Sequence, residues 1–290
     1  MDVAIKSAVE RIAGFPVVST QPVAGGCINV ACIVAVKSGQ QFFVKSNAAA
    51  PAGMFETEAK GLRQLQSSNA IRVPKVFSCG SAGKTEFLIL EAIQTGQTGK
   101  PAAEFFQQLG RALAQLHRTS QKQFGLSYNN FLGSTPQRNQ QNAGWTSFWK
   151  QQRFGFQFGL AREKGYANAN FNRLSERLLD RVDELLKTDE PPALIHGDLW
   201  SGNYMVGPDG EPVLVDPAVY FAAREAEFGM TTLFGGFDQS FYDAYNEAWP
   251  LSAGAQQRIE LYRLYHLLNH LNLFGSSYLS DCIAIMKKYS

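Results

Sequence analysis

Residues 194–218, LIHGDLWSGNYMVGPDGEPVLVDPA, constrain the fold of this chain more than any other stretch. Two apolar residues, Leu194 and Ile195, lead into His196-Gly197-Asp198, and Asn203 follows the aspartate by five positions. A short apolar run then meets a Pro-Asp-Gly turn at 208–210, and a second run, Pro212 to Val215, ends on Asp216. This is a hairpin pattern. A hairpin returns the chain on itself, so Asn203 and Asp216 reach one end although thirteen positions separate them.

Two carboxylates and an amide oxygen gathered in this way suit phosphoryl transfer. The transition state of that reaction is loose, so positioning and charge neutralisation dominate. One carboxylate, for which Asp198 is the candidate, orients the attacking hydroxyl and accepts its proton. A second, Asp216, holds Mg²⁺ against the phosphates, and Asn203 completes a set of hard oxygen ligands. The Asp-x4-Asn spacing equals that of the kinase catalytic loop. Either carboxylate alone reads as an Asx turn or an exposed hairpin end; the joint spacing sets that reading aside. His196 reads as a hydrogen-bonded scaffold residue rather than a proton carrier.

The rest of the chain is ordered around this segment. VACIVAV (30–36), a turn at Lys37-Ser38-Gly39, and QFFVKS (41–46) form a second hairpin pattern. A helix is expected over 55–66, where Phe55, Ala59, Leu62 and Leu65 share a face. Val73 to Val76 and EFLILEAI (86–93) are further strand candidates. From residue 103 the period is helical, with Phe105, Leu109, Leu113 and Leu116 on one face, and later Leu174, Leu178, Val182 and Leu185. Residues 127–147, rich in Asn, Gln, Ser and Gly, read as a long surface connection, and 258–274 as a very apolar helix. The expectation is an α+β, bilobal, protein-kinase-like fold. Its strand-rich N-terminal lobe spans 1–92 and its helical C-terminal lobe 93–290.

A kinase also needs a cation for the phosphates. Lys45 closes the strand QFFVK, and Glu58 in the following helix is its expected partner, because Glu56 faces elsewhere. Gly25, Gly26 and Cys27 stand where a phosphate loop belongs; glycines permit close approach and backbone amides bind phosphate. The backbone of Glu91 and Ile93 would meet adenine at the hinge. Cys27 reads first as a small apolar turn residue. As a thiolate near backbone amides it would make activity redox-sensitive.

Composition narrows the partners. With 45% apolar and 18% charged residues the chain is globular, and a net charge of +2 argues against nucleic acid. No apolar run approaches the roughly 18–20 residues of a membrane span. The first residues read as an amphipathic helix and not a signal peptide. Four cysteines without CxxC pairs fit reduced thiols and a cytoplasmic location. The oligomeric state stays open, a redox-linked dimer included.

HGDLWSGN followed by VDPAVYFAARE resembles the fructosamine-3-kinase family, the ketosamine kinases. PVAGGCIN (22–29), MFETEAKGL (54–62), FLGSTPQRN (131–139) and LYRLYHLLNHLNLFG (261–275) are similar to it as well. That family belongs with aminoglycoside and choline kinases in the protein-kinase-like fold. The resemblance implies ATP-dependent phosphorylation of a ketosamine at the sugar 3-hydroxyl, and so removal of glycation from amines or proteins. It matches Asp198 to the base, Asn203 and Asp216 to the Mg²⁺ site, and Lys45 and Glu58 to the nucleotide ion pair. Trp200 packs either on the adduct or in the core. Tyr265, His266, Asn269 and His270 either offer stacking and neutral hydrogen-bonding groups for a sugar or, for most of them, belong to the core; of these His270 is the favoured contact. The family tends to carry aspartate where Glu227 stands, as a brace for the loop. Tyr220 and Phe221 read as core. The competing readings are another small-molecule kinase of this fold, a nucleotide-binding protein without catalysis, and an interaction module. Aminoglycoside pockets call for clustered acids, which the C-terminal region lacks.

Overall fold

In the computed structural model, residues 1–23, 29–96 and 102–290 are described. The N-terminal part is a five-stranded antiparallel sheet in the order β1-β2-β3-β5-β4. Its strands are β1 (Val17–Val23), β2 (Val30–Val36), β3 (Gln41–Asn47), β4 (Val76–Ala82) and β5 (Thr85–Glu91). Side chains alternate across a strand. Phe42 and Val44 of β3 therefore face helix α1 (Val3–Ala13), in a cluster with Ile5, Ala8 and Val9. Phe43 and Lys45 take the other face, toward helix α2 (Met54–Ser67).

Helix α2 buries Phe55, Ala59, Leu62 and Leu65, the stripe its sequence period predicts. The stripe does not stop at the sheet. It joins one continuous cluster with Leu109 and Leu113 of helix α3 (Ala102–His117), and with Leu214, Val219 and Phe241. At Gly61 a Cβ would stand 3.3 Å from Val219, so helix and C-terminal part meet closely there.

The C-terminal part is mainly helical. After α3 come α4 (Trp145–Trp149), a π-helical turn (Lys150–Gly155), α5 (Phe156–Glu163) and α6 (Ala169–Leu185). The 20-residue α9 (Ala255–Phe274) runs through its centre, preceded by α7 (Phe228–Thr231) and α8 (Gln239–Ala248) and followed by α10 (Leu279–Tyr289). Three short hairpins or pairs decorate it: β6 (Asn130–Leu132) with β7 (Thr135–Gln137), β9 (Tyr204–Val206) with β10 (Pro212–Leu214), and β8 (Ala193–Ile195) with β11 (Tyr220–Ala222). Among the described residues no helix is long and apolar enough to cross a membrane.

Three expectations change. Residues 73–75 precede β4 rather than forming a strand. β1 is an additional edge strand, almost wholly exposed and bearing Pro22, a residue that edges tolerate. Residues 127–147 are not a solvated connection. They hold β6 and β7, and Asn130, Gln137 and Asn139 are buried.

Burial also controls the response to acid. His266 lies in the core, with Nδ1 unpartnered, and its pKa is lowered to about 3 by desolvation, then by His270 and Arg153. The unfolded chain takes up that proton near 6.5, so the neutral ring's contribution to stability is complete above 6.5 and is lost as pH falls toward 3. Between pH 7.5 and 5, wild type is expected to lose about 2 kcal/mol more stability than His266→Gln, read from urea unfolding at the two pH values.

Candidate active site

β8 delivers His196-Gly197-Asp198 at its end, and β11 returns beside it. Gly197 has φ 83°, and a Cβ there would lie 2.2 Å from the Ala218 carbonyl oxygen, so only glycine fits. The Ala218 N–H donates to the His196 carbonyl at 2.9 Å. The imidazole of His196 is fully buried and bridges the two segments. Nδ1 accepts from the Asp198 N–H at 3.3 Å, so Nε2 carries the proton it donates to the Val215 carbonyl at 2.9 Å. Burial lowers its pKa and keeps it neutral. Glu227 accepts from the backbone N–H groups of His196 (2.6 Å) and Gly197 (3.0 Å). The longer carboxylate thus reaches both amides of the loop.

Asp198 keeps part of its side chain open to solvent. It nevertheless lies deep, and desolvation, then the charges of Asp216 and Glu227, push its pKa up to about 7, against a hydrogen bond from Asn203. Asn203 Nδ2 donates to the Asp198 carbonyl at 2.8 Å and to Oδ2 at 3.3 Å. Asp216 follows β10 in a left-handed backbone conformation (φ 57°), which aspartate tolerates better than most residues, and its carboxylate is half exposed. Lys45 Nζ donates to Glu58 Oε1 at 2.8 Å and also to Asp216 Oδ1. Burial disfavours the lysine's charge, but Asp216 and Glu58 outweigh it and raise the pKa. Glu58 shares the inward stripe of α2, whereas Glu56 points outward and pairs with Lys60 at 2.7 Å.

The donor set can be compared with what Mg²⁺ requires. Asn203 spends its Nδ2 on Asp198 and leaves Oδ1 without a partner among the described residues; Asp216 likewise keeps Oδ2. One carboxylate and one amide oxygen fit an ion that takes few protein ligands and completes its shell with phosphates and water. Among the described residues there is no cluster of three or more His, Cys, Asp or Glu for a closed metal cage.

The remaining expectations divide. Gly25, Gly26 and Cys27 lie outside the described residues. At the hinge, the Glu91 N–H already donates to the Lys75 carbonyl at 2.9 Å and is engaged there. The Glu91 side chain meets Arg72 at 2.8 Å, and Arg72 also pairs with Glu211 of the β9–β10 turn. Trp200 is partly exposed with its ring over Gly202, and His270 is half-buried among Phe234, Phe274 and Tyr278. Of the alternatives for Tyr265, His266 and Asn269 the structure has the core one: all three are buried. The Tyr265 hydroxyl donates to Gln137 Oε1 at 2.9 Å, and Asn269 Oδ1 accepts from Gln157 at 3.1 Å.

Sequence reasoning missed the polar group under the site. Gln137 Nε2 donates to the Ala218 carbonyl and to Asn130 Oδ1, both at 2.9 Å, while Asn130 donates to the Val219 carbonyl at 2.9 Å. Asn139 connects these to the buried guanidinium of Arg153, which lies 3.9 Å from the Tyr220 ring centroid. The network holds the carbonyl against which Gly197 packs. The signal was the TPQRN stretch, read for resemblance and not for chemistry. Gln137→Leu leaves the Ala218 carbonyl and the Tyr265 hydroxyl unpaired, so a loss of about 2–4 kcal/mol is expected in urea unfolding.

A β-sheet lobe with a Lys–Glu pair, set against a helical lobe with an Asp/Asn/Asp group, defines a protein of the protein-kinase-like fold. An aminoglycoside phosphotransferase solved with ADP and hygromycin B has this fold at TM-score 0.67 and 16% identity, covering 99% of this chain and 96% of that one. The match to a putative fructosamine-3-kinase of Haemophilus somnus 129PT is far nearer: TM-score 0.88 and 29% identity, over 98% and 96% of the two chains. The protein-ribulosamine 3-kinase, chloroplastic, of Oryza sativa subsp. indica is 41% identical over 272 residues, 92% of this chain and 77% of the relative. The family model described as fructosamine kinase matches residues 1–290, and the chain belongs to that family.

Proposed function

We propose that this chain transfers the γ-phosphoryl group of ATP to the 3-hydroxyl of the sugar in ketosamines, fructose- or ribulose-derived, and so takes part in deglycation. The observation that carries the reading is the Asp198–Asn203–Asp216 group facing the Lys45–Glu58 pair, in a member of the fructosamine kinase family. Lys45, kept charged by two carboxylates, neutralises the phosphates. Asp198 orients the sugar hydroxyl and takes its proton as that oxygen bonds to phosphorus and the bond to the ADP oxygen breaks. A carboxylate poised near neutral pH suits this task. Asn203 restrains Asp198 through its amide nitrogen, and Glu227 and His196 fix the loop backbone. Asp216 and the Asn203 oxygen would hold Mg²⁺, which supplies charge neutralisation at the phosphates.

Trp200, half turned to solvent beside the base, is the sugar-stacking surface in this reading, and the cytoplasm is its site of action. Incubation with ATP, Mg²⁺ and separate fructosamine, ribulosamine, aminoglycoside and choline acceptors, followed by phosphorus and proton NMR, tests it. A ketosamine 3-phosphate is the expected product. Phosphorylated choline or aminoglycoside without a ketosamine product would replace this substrate class while keeping the kinase.

A further inference from the structure

The mechanism above uses Trp200 but leaves an aromatic surface beside it without a role. Among the described residues beyond Ala102, the large hydrophobic side chains left exposed are Trp200 (36%), Phe234 (46%) and Phe274 (50%). All three are aromatic. Phe234 stands in the segment between α7 and α8, and the glycines after it, Gly235 and Gly236, have φ of 73° and 87°. At Gly236 a Cβ would be 2.4 Å from the Ser201 Cβ, and the Gly236 carbonyl accepts from the Tyr204 hydroxyl at 2.7 Å. The segment is therefore fastened to the residues that follow Trp200 and Asn203. Its exposure is held by backbone contacts, not left over from poor packing.

On its far side, the Phe234 ring lies 5.0 Å from the ring of His270, centroid to centroid. His270 in turn lies 5.5 Å from Phe274 and 5.2 Å from Tyr278. Its Nδ1–H donates to the His266 carbonyl at 2.8 Å, and burial lowers its pKa, so it adds no positive charge to the patch. The aromatic group of Phe234, His270, Phe274 and Tyr278 thus reaches the C-terminal end of α9, and the segment bearing Phe234 is tied by Gly236 to Ser201, three residues after Asp198.

We infer that Phe234, backed by His270 and Phe274, receives the amine side of the ketosamine: the protonated secondary amine and the alkyl chain beyond it. The inference rests on the ketosamine reading. The amine is joined to carbon 1, two carbons from the 3-hydroxyl that Asp198 addresses. With the hydroxyl at the base, the amine reaches the rim of the site and not its floor. An alkylammonium is attracted to the face of an aromatic ring, and a flat ring also covers an alkyl chain. Such a surface distinguishes a ketosamine from the free ketose, which carries a neutral hydroxyl on carbon 1 where the ketosamine carries the cation. It also leaves room for a lysine chain that continues into a protein.

The test is selectivity. Values of kcat/KM are measured for wild type, Phe234→Ala and Phe234→Leu with two acceptors: ribulose attached to the Nε of lysine in a short peptide, and free ribulose. Phe234→Ala is expected to lower kcat/KM for the adduct about 10-fold and for the free ketose less than about twofold. Phe234→Leu, apolar but without a π face, should fall between wild type and alanine. An unchanged KM for ATP and an unchanged thermal midpoint establish that the variants are folded. Equal losses on both acceptors, or no loss on the adduct, overturn the inference while leaving the kinase reading intact. A wild type that phosphorylates neither adduct nor ketose overturns both.

Discussion

Asp198→Asn is expected to lower phosphorylation of a ketosamine by at least about 100-fold, the range associated with loss of a general base. The amide keeps the size of the carboxylate and its contact with Asn203, but it cannot take the proton of the sugar hydroxyl. Nucleotide affinity should change little, because Lys45, Glu58 and Asp216 are untouched. Folding should also survive. The wild-type carboxyl is pushed up to about 7 by desolvation and by Asp216 and Glu227, so its charged form strains the site above that pH. A neutral amide relieves that strain, and at pH 8 the thermal midpoint of the variant should equal or exceed that of wild type. Loss of turnover with the midpoint kept is the expected pair of results. Near-normal turnover would remove Asp198 from the reaction.

Asp216→Ala should produce an effect of similar size by another route. Wild type is expected to bind ATP more tightly as Mg²⁺ rises; the alanine variant should lose that dependence and at least about 100-fold in turnover. It also deprives Lys45 of one of its two acid partners, so nucleotide binding without metal should change far less than binding with it. Equilibrium titration of ATP at several Mg²⁺ concentrations separates the two terms. Full activity and full Mg²⁺ dependence in the variant would show that the metal is held elsewhere.

Legibility in the sequence followed the distance over which each feature is encoded. Asp198, Asn203 and Asp216 stand within one hairpin unit, so spacing alone brings them together. Lys45 and Glu58 could be paired because each sits at a readable place, a strand and an inward helical stripe, although β3 runs on to Asn47 and Lys45 lies within it, not at its end. The buried amides could not be found this way. Asn and Gln are usually exposed, and the partners that make burial of Asn130 and Gln137 favourable include the carbonyls of Val219 and Ala218, 89 and 81 positions onward, and the Tyr265 hydroxyl. Helix α9 failed for a different reason. Its buried residues fall on nearly every side, so periodicity gives no cleft-facing edge that would separate Tyr265, His266 and Asn269 from His270. β8 and β11 are three residues each, too short for an alternating pattern to show.

The seating of α2 has a consequence for control. Phe55, Ala59, Leu62 and Leu65 are buried in a cluster shared with the C-terminal part, and Gly61 lies against Val219. Rotating this helix outward would return four apolar side chains to water, at about 1.5–3 kcal/mol each. Glu58 is carried by that helix and Lys45 by β3, so the pair cannot be parted by moving α2 without the same penalty. A swinging helix that arms and disarms the pair is therefore not built into this fold. The ion pair is already closed as the helix is seated, so closing it is not a separate step that a substrate would have to drive.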